Sequence, residues 1–395
     1  MEKEITAALK QRSALFVLFF VTGVALSSWV TRTPDIRNLL GASIGEMGTL
    51  MLGLSCGAMV GLLGANTLIR YTSTRWVASG GVILLPTGLL LIAASCLTTS
   101  WSLMVIGLFI FGFGMGSSEI PINLEGSRLE TTLNKTFLPK LHGFFSSGVT
   151  IGALIGIILT HLEFPVYWHL GCVALLIAVP ILRTFAVLPD HGLDKTDETA
   201  TSKASGKLVA LLKDKRLWGI AIICMAMALA EGSANDWLPL LMVTGHGFDP
   251  STSAFIYTLF ALGMAIGRFF GNPFIQRYGR PVILCVSALS CAIGLGLAIF
   301  TESTPCAILS VLFWGIGASL GFPVAISAAS ASGNNPSKRV SFVAVGGYCA
   351  FLVGPPLLGF IGQHYGLRAS MVVVLAMVVI AAILSPGTRA RLPSY

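Results

Sequence analysis

An all-α membrane protein, with twelve transmembrane helices in two six-helix bundles, is what this sequence predicts. Three observations predict it. Of the 395 residues, 54% are hydrophobic and only 11% charged, against roughly a quarter charged in soluble domains, and the mean hydropathy is +0.83. Apolar stretches of bilayer-spanning length recur along the whole chain. The two halves also repeat each other at a nearly constant offset.

The elements follow in order. The first span, 13–31, is built on the apolar run from Ala14 to Val30, which is long enough to cross and lacks a small-residue cleavage pattern, so no cleavable signal peptide is expected. The second and third, 46–69 and 76–97, flank a short loop with Arg70 and Arg75. The fourth, 101–126, contains LFIFGFGMGSSEIPIN (108–123); the fifth, 139–161, begins near His142; the sixth is 165–187. After a polar stretch comes the seventh, 217–243, which contains IAIICMAMALAEGSANDW (220–237). Gly232 and Pro239 there predict a bent or locally unwound helix. The eighth, 251–275, holds Arg268, and the ninth and tenth are 281–301 and 304–330. Gly354, Pro355 and Pro356 bend the eleventh, 339–361, in a way that would serve rocking, and 367–386 is the twelfth.

An even count puts both termini on one side, and charge says which. Of 25 Lys and Arg, 21 fall in the termini and even-numbered loops; three (Arg32, Arg37, Arg368) fall in the opposite loops, and Arg268 lies inside a span. By the positive-inside rule both termini are cytoplasmic, in a bacterial-style inner membrane. The net charge of +8 is therefore topological, and no nucleic-acid partner is expected. The eight cysteines are scattered without metal spacing and read as small packing residues.

Residues 188–216 are the only long polar stretch. They divide the chain into a bundle at 1–187, a cytoplasmic linker with a short amphipathic helix near Leu208–Leu212, and a bundle at 217–395. LSCGAMVG (54–61) aligns with FALGMAIG (260–267) at an offset of 206, placing Gly57 on Gly263 and Gly61 on Gly267. FGFGMG (111–116) aligns with WGIGAS (314–319), and 142–156 with 345–359, both at 203; Trp29 falls on Trp237 at 208. Four matches in order indicate duplication, and paired six-span halves build a central cavity near the bilayer midplane.

Two carboxylates, Glu119 and Glu231, stand out inside the apolar stretches of the spans. A charge there costs roughly 2.5–3.5 kcal/mol on insertion scales, so such groups face polar surroundings and serve as proton relays. Each has an Asn one helical turn on, Asn123 and Asn235, on the same helix face. By the repeat Glu231 aligns with Gly23 and Glu119 with Phe322, so each half contributes its own carboxylate. Asp236 reads either as a solute contact and outer gate or as a helix-end carboxylate in water. Arg268 reads as packing against the cytoplasmic loop motif, or in the sharper alternative as an ion pair with a carboxylate such as Glu119. Trp29, Trp237 and Tyr348 stack on a ring-bearing solute or simply pack. His142 is a helix-end interface residue or a titrating one. Glu125 and Arg128 form a local pair, and Arg32, Asp35 and Arg37 are solvated gate charges. GFGMG is helix packing, since it lies in an apolar span and lacks the Lys-Ser/Thr of a phosphate loop. No Walker motif, nucleophile elbow or zinc spacing occurs, which argues against an enzyme or primary pump and predicts no cofactor and no metal.

SSWVTRTPDIRNLLGASIGEMG (27–48), SSEIPINLEG (117–126), LPKLHGFFSSG (138–148), AEGSANDWLPLLM (230–242), GASLGFPVAISAAS (317–330) and RVSFVAVGGYCAFLVGPPLLGF (339–360) carry a family resemblance. The chain resembles the major facilitator superfamily, in its YbjJ-like inner-membrane branch, distantly similar to fucose-permease-like transporters. The resemblance implies two six-helix bundles, alternating access and solute transport. The superfamily's G-x-L-x-D-R-x-G-R loop is degraded: ANTLIRYTSTR (65–75) puts Arg70 at the Asp and Ser73 at the Gly, while GNPFIQRYGRP (271–281) keeps Gly271, Arg277, Gly279 and Arg280 but has Gln276 at the Asp.

The reading is a secondary active transporter, proton-coupled through Glu231 and Glu119, with Asn123, Asn235, Asp236, Trp29, Trp237 and Tyr348 contacting the solute. Arg268, His142, Arg277, Arg280, Pro355 and Pro356 are gating or structural. Its expected partners are a small-molecule substrate, a sugar or sugar-like metabolite, together with the proton and the lipid bilayer; the chain is expected to be a monomer. The alternatives are a proton-driven drug or metabolite exporter and, from another class, a non-transporting receptor or scaffold.

Overall fold

The computed structural model describes residues 2–133, 138–192, 212–333 and 336–389. Among them are α1 (Glu2–Thr31), α2 (Thr33–Leu40), α3 (Ile44–Tyr71), α4 (Thr74–Thr98), α5 (Trp101–Leu133), α6 (Leu138–His161) and α7 (Val166–Phe185). The second half supplies α8 (Lys215–His246), α9 (Pro250–Tyr278), α10 (Arg280–Phe300), α11 (Thr304–Ser330), α12 (Pro336–Tyr365) and α13 (Leu367–Leu384), then a 3₁₀ turn at Ser385–Thr388. Twelve of these helices, all but α2, are long and apolar enough to cross a membrane. Helices satisfy every backbone group within the segment, the condition hydrocarbon imposes.

Local chemistry starts and stops them. Ser43 and Glu46 form a reciprocal capping box at the start of α3, and Ser73 and Ser303 cap α4 and α11. Asp214 Oδ1 accepts from the Arg216 and Leu217 N–H groups ahead of α8 (3.0 and 3.1 Å). Asp249 does the same for Ser251 and Thr252 at α9 (2.9 and 3.0 Å). Between α9 and α10 the chain turns through Gly279 at φ 78°, a left-handed geometry that glycine adopts without strain.

Two features differ from the sequence reading. The helix α2 was not anticipated; Pro34 sits in its first turn and Gly41 ends it in the left-handed region. α8 runs as unbroken helix through Gly232 and Pro239, so the seventh span is not unwound. Pro355 and Pro356 lie inside α12. The short helix expected near Leu208–Leu212 falls, but for Leu212, outside the described residues.

The chain forms two compact units, one of Met1–Leu193 with Met242–Thr258, the other of Asp194–Leu241 with Leu259–Tyr395. In the first, α4 packs on α5 and α7, α3 on α5, and α1 on α6 and α7. In the second, α10 packs on α11 and α13, and α12 on α11 and α13.

Glycines set the closest crossings, and they follow the repeat. A methyl on Gly57 would lie 2.1 Å from the Phe109 carbonyl oxygen, and one on Gly263 3.3 Å from that of Leu312. Gly112 meets the Leu54 carbonyl at 2.0 Å where Gly315 meets that of Phe260 at 2.4 Å. Gly88 abuts the Phe111 N at 2.8 Å, and Gly294 the Trp314 N at 2.5 Å. In every pair the two partners differ by the 206 and 203 positions read from sequence. Small residues let helix backbones approach where no hydrophobic drive separates helix from lipid.

Candidate functional site

The second unit contains a charge pair embedded in its spans. Glu231 lies near the middle of the 32-residue α8. Its Oε1 sits 2.7 Å from Nη2 of Arg268 on α9, and the two side chains are 15% and 16% exposed. The pairing joins helices across 37 residues of sequence. The ion pair with a carboxylate, the sharper of the two expectations for Arg268, is present, and the carboxylate is that of Glu231. Each charge neutralises the other where an isolated one would be costly.

The surroundings hold α8 in register. Trp314 of α11, fully buried, donates its indole N–H to the Ala230 carbonyl at 2.9 Å, next to Glu231. The Ser233 hydroxyl donates to the same oxygen at 3.2 Å. Gly232 faces Phe351 of α12, whose ring a Cβ would meet at 2.9 Å. The Cys291 thiol of α10 donates to the Trp314 carbonyl at 3.5 Å. Asn235 and Asp236 are half-buried. Since α8 continues to His246, Asp236 is not at a helix end, which removes that reading of it. Trp237 is fully buried, and its indole N–H has no partner among the described residues.

The first unit arranges its polar groups differently. Glu119 is exposed on α5. Asn123 donates its amide to the Glu119 backbone carbonyl at 2.9 Å, so the i,i+4 pair meets through main chain. Two residues beyond Asn123, Glu125 is buried at 2% exposure. Its Oε1 accepts from the Thr74 hydroxyl at 2.6 Å and from Arg128 at 2.8 Å, and His191 Nδ1 lies 3.1 Å from Oε2. The local pair with Arg128 is present, but it belongs to a larger node. Thr74 N donates to the His191 carbonyl (2.8 Å), Arg128 to that of Gly192 (2.9 Å) and Arg75 to that of Leu188 (2.6 Å), tying the segment after α7 to α4 and α5.

At the opposite ends of these helices Arg32 is not solvated: it is 3% exposed. It pairs with Asp35 at 2.7 Å and donates to the Phe164 carbonyl at 2.6 Å. Burial lowers the Arg32 guanidinium and raises the Asp35 carboxyl, each against the pull of its partner. α2, which carries Asp35, brings the counter-charge.

The family model of the Major Facilitator Superfamily matches residues 138–335 and 246–393. The chain belongs to that superfamily. It is 27% identical over 378 residues to an uncharacterised transporter, y4wD, of Sinorhizobium fredii, covering 93% of this chain and 95% of the relative. It is 26% identical over 394 residues to an uncharacterised MFS-type transporter of Yersinia pestis, with 98% of each covered. Among solved structures, the nucleoside transporter NupG superposes with a TM-score of 0.71 at 17% identity, covering 96% of this chain and 99% of NupG. FucP in its outward conformation gives 0.66 at 16%, covering 96% and 98%. The chain thus has the major facilitator fold, distantly fucose-permease-like.

The remaining sequence-singled residues take their places in this major facilitator chain. Trp29, like Trp237, is buried at 2% or less. Tyr348 is half-buried on α12. His142 is exposed and lies edge-on to Phe19 at 5.1 Å. Arg277 stacks over Tyr278 at 5.4 Å. Arg280 donates to the Ser327 hydroxyl at 2.9 Å. In the degraded motif Thr74 stands where the C-half has Arg280, and both tie the loop to the next helix but one. Sequence reading missed Thr74 and His191 as partners of Glu125, and Trp314 as the brace on α8. It also missed Asp214, which bonds Arg339 across 125 residues.

Proposed function

We propose that this major facilitator protein is a proton-coupled secondary transporter that moves a small polar solute by alternating access across a bacterial inner membrane. It acts as a monomer with both termini cytoplasmic, its six-helix halves spanning 1–187 and 217–395 around the linker 188–216. Glu231 is the principal proton site and Glu119 the second carboxylate. Asn123, Asn235, Asp236, Trp29, Trp237 and Tyr348 supply solute contacts. The observation that carries this reading is the Glu231–Arg268 pair. While Glu231 is ionised the pair is neutral. Protonation removes the negative charge beside the Arg268 guanidinium, so proton binding changes the charge balance between α8 and α9 and with it which arrangement of the helices is stable. A sugar or sugar-like solute is supported by the likeness to FucP, described as a fucose:proton symporter.

Proteoliposomes test the coupling: addition of a transported solute should shift internal pH, and Glu231→Gln should abolish the shift. An unchanged shift in both Glu231→Gln and Glu119→Gln would overturn the assignment. Export is the second reading. It is favoured by 27% identity over 167 residues, 41% of each chain, to the multidrug resistance protein MdtG of Salmonella arizonae.

A further inference from the structure

At the start of α7 the first unit gathers buried donors that its own acceptors do not use. We propose that this corner binds a small monovalent anion of halide size, held by Arg32, His169 and the N-terminus of α7.

Arg32 follows the last residue of α1, and its guanidinium sits on the approach to α7. Nη2 donates to the Phe164 carbonyl at 2.6 Å, two residues ahead of Val166, where α7 begins. Nε lies 2.7 Å from Asp35. Arg32 is 3% exposed, and its Nη1 has no hydrogen-bond partner among the described residues. His169 stands in the first turn of α7, on the buried face of a helix that packs against α1 and α4. It is 1% exposed, and neither ring nitrogen has a partner among the described residues. Buried polar groups of this kind are almost always satisfied, and a neutral imidazole carries one donor and one acceptor.

A third group faces the same corner. α6 lays Gly148, Gly152 and Gly156 against Phe20, Ser27 and Thr31 of α1. Thr160 is the next residue in that i,i+4 row, level with the chain where α1 gives way to Arg32. The buried hydroxyls of Ser28 and Thr31 bond back to carbonyls of their own helix. The buried Thr160 hydroxyl has no partner among the described residues.

The chemistry of the corner selects an anion. No side chain caps α7. The N–H groups of a first helical turn lack intrahelical partners, and together with the helix dipole they favour negative charge. Arg32 Nη1, the His169 N–H and the Thr160 O–H add donors, against a single acceptor on the imidazole. Water would bring two hydrogens to a place short of acceptors, whereas an anion only accepts. Packing limits its size: a methyl on Gly156 would come 2.3 Å from the Thr31 hydroxyl, so α1 and α6 are in close contact one turn away. Asp35, the counter-charge of Arg32, lies nearer solvent, its side chain 24% exposed against 4%. Carboxylate and anion therefore compete for one guanidinium.

The second unit closes its equivalent corner by itself. At the 203 offset Arg368 stands in place of Pro165, and it donates to the Ile299 and Thr301 carbonyls at 3.0 and 2.8 Å.

The test uses the purified full chain in detergent, with sodium chloride or bromide exchanged for sodium gluconate at constant ionic strength. Thermal unfolding and chloride NMR line broadening are read. Both halides should raise the unfolding temperature in a saturable way, and the protein should broaden the chloride line. His169→Leu leaves the Arg32 bonds to Asp35 and Phe164 in place and should lose both effects. His169→Gln supplies an amide donor and should recover part of them. Asp35→Asn removes the competing carboxylate and should shift saturation to lower halide concentration. Glu231→Gln should keep the parental response, since Glu231 belongs to the other unit. Equal stability in chloride and gluconate, with no broadening, would mean that water alone meets these groups and would overturn the proposal. A full halide response in His169→Leu, or unshifted saturation in Asp35→Asn, would overturn it as well. Loss of the response in Glu231→Gln would assign the anion to the other charge pair and do the same.

Discussion

Arg268 of α9 places its Nη2 2.7 Å from Oε1 of Glu231 on α8, so two opposite charges within the spans are neutralised inside a single unit. Removing either partner takes away a charge that neutralises the other. Breaking a buried pair costs about 3–5 kcal/mol, and replacing both members is far milder. With some exposure retained, Arg268→Gln and Glu231→Gln should each lower stability toward the bottom of that range, and the double variant should lose less than the sum. A double-mutant cycle on thermal unfolding in detergent checks this, and strict additivity would contradict it.

The glycine crossings predict an asymmetry between equivalent positions. A methyl at Gly57 collides with the backbone of α5 at 2.1 Å, whereas at Gly263 its nearest neighbour is 3.2 Å away. Overpacking of this kind costs about 1–3 kcal/mol or more. Gly57→Ala should therefore fall well below the parent in thermal stability, Gly263→Ala should stay near it, and Gly64→Ala, which meets nothing within 4 Å, should match or exceed it.

Thr74→Val should weaken the Glu125 node. It removes a hydroxyl donor 2.6 Å from a carboxylate that is 2% exposed. Hydrogen bonds to charged groups contribute about 1.5–3 kcal/mol. Because residues 188–192 hang on the same node, the variant should also show faster amide hydrogen exchange there. Unchanged exchange would mean that Arg75 and Arg128 hold the segment alone.

Asp214 gives a pH dependence of defined sign. Burial alone would raise its carboxyl, but the hydrogen bond from Arg339, the Leu217 and Arg216 N–H groups and the Arg339 charge together hold it below the usual range. A depressed folded pKa contributes stability that is present above the unfolded value of about 3.9 and is lost as pH falls through the folded value. The parent should lose stability below about pH 4, and Asp214→Asn should be less stable at neutral pH while lacking that acid-dependent component. Unfolding curves between pH 3 and 7 check it.

Much of the fold was written locally. Hydropathy marks each span, and the 203 and 206 offsets carry over to which glycine meets which backbone, because duplicated helices inherit the same close crossings. What was not legible depends on approach between helices far apart in sequence. Nothing in one stretch reveals that Arg268 meets Glu231 across 37 residues, or Thr74 meets Glu125 across 51. Gly232 and Pro239 misled for a related reason: local punctuation suggests a break, but packing against Phe351 and Trp314 accompanies an unbroken α8. Arg32 was misplaced because the short α2 behind Pro34, which carries Asp35, went unrecognised.

The most direct test of Glu231 as the proton site compares uphill accumulation with solute counterflow in proteoliposomes holding Glu231→Gln. Counterflow needs only alternating access, whereas uphill movement needs the proton. The account predicts that counterflow persists, showing a folded and cycling protein, while accumulation driven by an imposed pH gradient is lost. Accumulation at the parental level in Glu231→Gln would contradict it.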